Sequence, residues 1–192
     1  MLLRGLTYVV LGWLLLAAVP GLAHVFDLSV ALPSTTAVVL LHVAFRSQRD
    51  DEPLAAGLAV AVVLGYLEDL HQGAPTGSLT LVHALTYLML YWAAQRISLP
   101  SIVAKGLAAA ATLLVIDMLT WGLLMALAEP LGLQRDALSG SLSVLGWRAL
   151  ETFLLAYPVW LLLDWIFPAL RLSDPVEEQP QTPSPPPRNP RA

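Results

Sequence analysis

Few side chains in this sequence are of types that do chemistry, and most of them are isolated within long apolar stretches. Glu68, Asp69 and His71 stand close together and suggest the start of a metal site. A single acidic pair with one histidine is, however, more typical of a solvated helix end than of a metal centre. The sequence contains no cysteine, which excludes disulfides, thiolate nucleophiles and cysteine-ligated metals. We therefore expect no metal and no other cofactor.

Motifs of catalytic and nucleotide-binding sites are absent from the sequence. It has no G-x-S-x-G nucleophile motif, no H-E-x-x-H zinc motif and no phosphate-binding P-loop. The formal net charge of −4 gives no basic surface that would attract nucleic acid. We expect no catalytic residues, no enzymatic activity and no nucleic-acid partner.

A second group of polar residues lies within long apolar segments, where an ionisable side chain needs a partner inside the bundle. For Asp117 the candidate partners are Arg148, Thr120 and His83. Arg148 and Glu151 are three residues apart on one predicted helix, so their side chains can touch. The predicted buried polar cluster consists of His83, Asp117, Arg148 and Glu151, and Glu68, Asp69 and His71 can extend it toward one membrane face. Both a structural hydrogen bond and a proton or ligand site remain open for Asp117.

Small residues recur at intervals of four in one segment, as Gly57, Ala61, Gly65, Asp69 and Gly73. This spacing places the helical members on one face, where a neighbouring helix can approach closely. The glycines and the proline of Gly73-Ala74-Pro75-Thr76-Gly77 then end the helix in a turn. The pattern predicts either an ordinary tight helix contact or a partner-binding surface. The predicted partner-binding residues are Gly57, Ala61, Gly65, Asp69, Gly73, Pro75 and Gly77.

The elements that position these residues are predicted to be membrane helices. Hydrophobic residues make up 57% of the chain and charged residues 12%, about half of the roughly 25% typical of soluble domains. A membrane-spanning helix needs about 20 apolar residues. Six windows approach this length: 6–23, 28–45 with Pro33 in its first turns, 54–70, 78–94, 104–128 and 144–167. The sequence therefore predicts an all-α integral membrane protein with about six transmembrane helices in one bundle.

The distribution of Lys and Arg predicts the orientation of the bundle. One side carries Arg4, Arg46, Arg49, Arg96, Lys105 and Arg171, and the other carries Arg135 and Arg148. Cytoplasmic loops are the richer in Lys and Arg, so both termini are expected in the cytoplasm. Alternatively, the first helix is a signal peptide cleaved after Ala23. His42 and Asp164 fall near the cytoplasmic helix ends, where contact with the wet interface accounts for both.

The chain divides into two parts, a six-helix transmembrane domain at 1–172 and a tail at 173–192. Seven of the 15 prolines lie in the tail, and Val176 is its only large aliphatic residue. Such a composition cannot bury enough apolar surface to offset the entropy of ordering, which predicts a disordered cytoplasmic tail.

Several motifs resemble those of the rod-shape-determining protein MreD family. They are Pro33-Ser34, Ala44-Phe45-Arg46, Gly65-Tyr66-Leu67-Glu68-Asp69-Leu70, Gly73-Ala74-Pro75-Thr76-Gly77 and the closing 149–158 segment ALETFLLAYP. The resemblance covers residues 28–167, and it rests on the order and spacing of motifs that are individually degenerate. Glu68 and Glu151 stand where the family often carries aliphatic or amide residues, and the proline-rich tail is unusually long.

The resemblance implies a non-catalytic scaffold of the cell-elongation machinery in the bacterial inner membrane. Its expected direct partner is an MreC-like bitopic membrane protein, and its indirect partners are MreB, RodA and the transpeptidase of RodA. The MreD architecture is also similar to the substrate-binding membrane subunits of vitamin transporters. The alternative hypothesis is therefore a substrate-binding subunit of a small-molecule transporter, with the buried polar cluster as its pocket.

Overall fold

A computed structural model describes residues 2–25, 33–50, 52–72, 75–128 and 144–171, and this part of the chain is helical, with no strand. Its six helices are α1 (Leu2–Val25), α2 (Thr35–Arg49), α3 (Leu54–Gln72), α4 (Ser78–Ala94), α5 (Ile102–Leu127) and α6 (Leu145–Arg171). The all-helical prediction is confirmed. The predicted tail, Gly73 and Arg135 lie outside the described residues.

The lengths and surfaces of the helices are those of a helical membrane protein. Three are long and apolar enough to cross a membrane: Leu54–Gln72, Ile102–Leu127 and Leu145–Phe167. Leu3–Val19 and Ser78–Ala94 are shorter apolar helices. Large apolar side chains also cover the outside of the bundle, among them Leu154 at 63% and Trp165 at 77% exposure. Soluble monomers rarely expose so much apolar surface, whereas a bilayer covers it.

The described helices form three antiparallel pairs, α1–α2, α3–α4 and α5–α6, and α2 is the central helix. Arg4 contacts Glu52 and Tyr8 contacts His42, so α1 and α2 run antiparallel. Lys105 contacts Asp164 and Asp117 contacts Arg148, so α5 and α6 do the same. α2 packs against each of the other five described helices. All ten residues at 35–44 are buried, whichever face of α2 they occupy. We call the end of the bundle where α1 begins the basic end, and the opposite end the Asp69 end.

The structure confirms the predicted bounds of α4 and corrects the start of α2. The prediction put the start of α2 at Leu28 and Pro33 inside its first turns. Instead, the helix begins at Thr35, and the hydroxyl of Ser34 accepts a hydrogen bond from the backbone nitrogen of Ala37 at 3.1 Å. Pro33 therefore lies outside the helix, one residue before the N-cap. The Ser34 side chain, and not the proline, marks the start of α2, because its hydroxyl satisfies one of the free N–H groups of the first turn.

Candidate functional site

Asp69, near the end of α3, caps the beginning of α4. Its carboxylate accepts hydrogen bonds from the backbone nitrogens of Gly77, Leu79 and Thr80 at 2.9, 2.9 and 3.2 Å. The hydroxyls of Ser78 and Thr80 donate to the same carboxylate at 3.2 and 2.8 Å. Gly77 is the N-cap residue of α4, with φ of 93°, and has no side chain to satisfy these N–H groups. Asp69 therefore supplies the cap from a different helix, and it is buried rather than solvated.

The small-residue face of α3 packs against α4 of the same chain. A Cβ atom added to Gly65 would lie 2.7 Å from the Cα of Thr80. One added to Gly57 would overlap the hydroxyl group of Tyr87, and Ala61 is fully buried. The geometry is that of the tight helix contact that the spacing predicts. Because α4 covers these small residues, they cannot contact a partner directly. They can affect partner binding only by setting how α3 and α4 pack together.

Glu68 is the centre of a polar network that joins three helices at the Asp69 end. Its carboxylate accepts hydrogen bonds from Thr36 on α2 at 2.9 Å and from Gln72 at 2.6 Å. Its Oε2 atom lies 2.9 Å from Nε2 of His83 on α4. We call Thr36, Glu68, Gln72 and His83 the Glu68 network. Sequence reasoning did not find Thr36, although a hydroxyl next to the start of a buried helix was available as a signal.

The environment of His83 favours an additional proton in the Glu68 network. The Nδ1 atom of His83 is 2.8 Å from the carbonyl oxygen of Leu79, and its Nε2 faces Glu68. Both ring nitrogens thus face acceptors, whereas a neutral imidazole has one N–H. The pair is therefore either imidazolium with carboxylate or imidazole with carboxylic acid. In both forms it is neutral overall, which suits its burial.

Asp117 and Arg148 form an ion pair between α5 and α6. Nη1 of Arg148 donates to both carboxylate oxygens of Asp117, at 2.9 and 2.8 Å. The prediction of Arg148 as partner is confirmed. The alternatives are wrong: His83 contacts Glu68 instead, and the Thr120 hydroxyl has no hydrogen-bond partner among the described residues. The predicted polar cluster is thus divided, because His83 lies between α3 and α4 and the ion pair between α5 and α6.

A cavity of about 470 Å³ at the Asp69 end brings part of the wider predicted cluster together. Glu68, His71 and Arg148 line it, whereas Asp69 and Glu151 do not. Its other lining residues are Leu16, Val19, Pro33, Ser34, Thr35, Thr36 and Gln72. Within the described ranges, no three His, Asp or Glu side chains are grouped closely enough to hold a metal ion.

A second histidine site lies at the basic end and was not predicted. The Tyr8 hydroxyl is 3.0 Å from Nδ1 of His42, and Nε2 of His42 is 3.1 Å from the Asp164 carboxylate. The ring can donate from Nε2 and accept at Nδ1, so a neutral imidazole satisfies both contacts. The prediction that His42 meets the wet interface is wrong, since only 2% of it is exposed. Asp164, at 48% side-chain exposure, does reach the surface.

Comparisons of the chain with models of protein families, with curated proteins and with solved structures found no match. The all-helical fold and its three long apolar helices define the class, that of a helical membrane protein. Within the described residues, its internal polar groups mainly connect helices: α3 with α4, α2 with α3, and α5 with α6.

Proposed function

We propose that this chain is a non-catalytic, MreD-like scaffold subunit of the bacterial cell-elongation complex. It binds an MreC-like bitopic protein, and through it MreB, RodA and the transpeptidase. The observation that carries the proposal is the position of the residues behind the resemblance. Gly65, Asp69 and Gly77, from two of its motifs, hold α3 and α4 together through close backbone approach and a shared cap. By fixing how α3 and α4 pack, these residues determine the outer surface of the pair, and a scaffold needs a fixed surface to bind its partner.

In this proposal the partner helix contacts the outer face of the α3–α4 pair. α3 exposes Val62, Val63, Tyr66 and Leu70, and α4 exposes Leu81, Leu85, Met89 and Trp92. Without a hydrophobic driving force inside lipid, helices associate through close packing, so a fixed shape matters more than an apolar surface alone. The small residues contribute by setting the distance between α3 and α4.

The proposal places the protein in the inner membrane, with all six helices spanning and both termini in the cytoplasm. Arg4, Arg46, Arg49 and Lys105 of the basic end support this orientation under the positive-inside rule. The apolar outer surface of the bundle supports a fully embedded arrangement.

The test is recovery of the partner from crosslinked native membranes by tagged protein, with mass spectrometry. Gly65→Leu pushes the backbone of α4 away and should reduce recovery of the MreC-like protein at least about tenfold, the effect of losing a well-packed contact. Gly122→Leu is the matched control, because a Cβ atom there meets no atom within 4 Å. Both variants should insert into the membrane.

Two surface substitutions separate partner contact from a change in folding. Tyr66→Ala and Trp92→Ala remove side chains that are 47% and 61% exposed, so the bundle itself should persist. Reduced recovery of the partner with unchanged thermal stability supports the scaffold. Normal recovery with Gly65→Leu and with both surface variants contradicts it.

One observation favours a second candidate, a substrate-binding subunit of a vitamin-type transporter. The cavity at the Asp69 end has the volume of a small-molecule site and presents both Glu68 and Arg148. If this function is correct, the purified protein carries a metabolite, and Asp117→Asn, which releases Arg148, reduces uptake. Absence of any bound metabolite together with normal uptake by the variant contradicts it.

A further inference from the structure

A second cavity lies at the basic end, apart from Glu68, Asp69 and the cavity at the Asp69 end. It has a volume of about 550 Å³, within the range of small-molecule sites. Its walls come from the end of α2, the 95–100 connection, the beginning of α5 and the last turns of α6. Its charged and amide lining residues are Arg46, Gln48, Arg49, Gln95, Lys105 and Asp164.

Cations dominate the charged groups in this wall. Arg46, Arg49 and Lys105 line the cavity together with one carboxylate, Asp164. Lys105 is held in place, with its Nζ 4.6 Å from the ring centroid of Trp160 and 3.9 Å from Asp164. Guanidinium groups bind phosphate oxygens in paired hydrogen bonds, and a lysine adds a compact charge. The wall is thus suited to a phosphate monoanion.

Arg46 is also fixed, which prepares the cavity for a ligand. Its guanidinium lies over the ring of Phe167, with 5.1 Å from Cζ to the ring centroid, and its Nε is 3.3 Å from Asp50. Arg49 differs, since it is exposed and has no ion-pair partner within the described ranges. A bound phosphate would supply that partner.

A narrower apolar crevice continues from the cavity between α5 and α6. It has a volume of about 100 Å³ and shares Lys105, Trp160 and Asp164 with the cavity. The remaining wall consists of Ile102, Ala156, Tyr157 and Leu161. This part has almost no polar group to offer, so it fits a hydrocarbon chain rather than the rest of a soluble metabolite.

We propose that the basic-end cavity binds the headgroup of an anionic phospholipid of the phosphatidylglycerol type, with an acyl chain in the crevice. Arg49, Arg46 and Lys105 bind the phosphate. The Asp164 carboxylate and the amides of Gln48 and Gln95 accept from the glycerol hydroxyls. The inference does not depend on the scaffold function, because a lipid can bind at the basic end whether or not a partner helix contacts the outer face of the α3–α4 pair.

The experiment is a titration of the purified full chain, in an uncharged maltoside detergent, with dioctanoyl phosphatidylglycerol and dioctanoyl phosphatidylcholine. We expect the anionic lipid to bind at least about tenfold more tightly, the value of one charge-assisted contact. Arg49→Gln should weaken it by about tenfold, and Lys105→Gln similarly. Arg96→Gln is the matched control, because Arg96 is exposed in the same connection but does not line the cavity.

Two further arms distinguish the lipid from a soluble phosphate. Ile102→Ser removes a crevice wall and should weaken binding by about fivefold, whereas Val103→Ser, exposed on the same helix outside the crevice, should leave it unchanged. Glycerol 3-phosphate and inorganic phosphate should bind far more weakly than the lipid.

Equal affinity for the two lipids, or no measurable binding of either, overturns the proposal. Equal losses with Arg49→Gln and Arg96→Gln indicate general charge attraction and also overturn it. If glycerol 3-phosphate binds as tightly as the lipid, the lipid proposal is overturned and the ligand is a soluble phosphate ester.

Discussion

The α3–α4 and α5–α6 pairs both pack closely, but different atoms make the contacts between the two helices. Each is an antiparallel pair with a glycine at close approach and an aspartate at some distance along the helix. In the first pair Gly65 approaches the backbone of Thr80, and Asp69 accepts mainly from backbone N–H groups and two hydroxyls. The first pair thus depends on backbone geometry.

The second pair depends on side chains. Gly106 approaches the ring of Phe153, and Asp117 is bound by Arg148. A side chain can change rotamer to make room for a new group, whereas the backbone of a packed helix is held in place by its hydrogen bonds. We therefore expect the first pair to tolerate substitution poorly and the second to adapt. Three sets of substitutions test this difference.

The largest effect is expected from Asp69→Ala. Removing the carboxylate leaves the buried N–H groups of Leu79 and its neighbours without acceptors, which should lower the free energy of unfolding by about 3 kcal/mol or more. Asp69→Asn retains one acceptor oxygen and should lose less. Unfolding in mixed micelles of maltoside and dodecyl sulfate measures both. Equal losses for the two variants would mean that the cap is not the source of the stability.

A smaller effect is expected when each close-approach glycine becomes alanine. At Gly65 the new Cβ lies 2.8 Å from the carbonyl oxygen of Leu79, and this backbone cannot rotate away. At Gly106 it lies 2.8 Å from ring atoms of Phe153, which can turn, and 3.2 Å from the backbone oxygen of Phe153, a milder contact than that at Gly65. We expect losses of about 2–3 kcal/mol and about 1 kcal/mol, respectively. The same unfolding assay checks the order, and a larger loss at Gly106 would contradict the distinction.

The smallest effect is expected from replacing both members of the ion pair. Asp117→Asn or Arg148→Gln alone leaves one charge without its main partner, whereas the double variant leaves two amides that can bond to each other. A double-mutant cycle should give a coupling energy of about 1–2 kcal/mol, with the double variant no less stable than the worse single one. Strictly additive losses would show that the two side chains act independently.

The sequence was informative where local chemistry decides the structure. α4 begins and ends as predicted, because glycine and proline punctuate the chain just before Ser78. The partner of Asp117 was predictable for a related reason. Membrane helices contain few cations, so Arg148 was one of only three candidates that the sequence offered, and the structure selects it.

The central position of α2 was not predictable, and the errors at His42 and His83 follow from it. In lipid, helices are apolar on all sides, so hydrophobic periodicity does not show which helix is enclosed. Only enclosure brings His42 within reach of Tyr8 and Asp164, which are 34 residues before and 122 residues after it. The Glu68 network likewise joins three helices. The spacing of residues within one helix does not show which other helices it contacts.

The enclosure of α2 also sets an order for assembly in the living cell. α2 is synthesised second, yet the Asp164 partner of His42 follows 122 residues later. At about 5–20 residues per second, the ribosome needs roughly 6–24 s to make that stretch. During this interval His42 can contact Tyr8, which is made before it, but not Asp164. We therefore expect the contacts around His42 to be completed only after α6 has been synthesised.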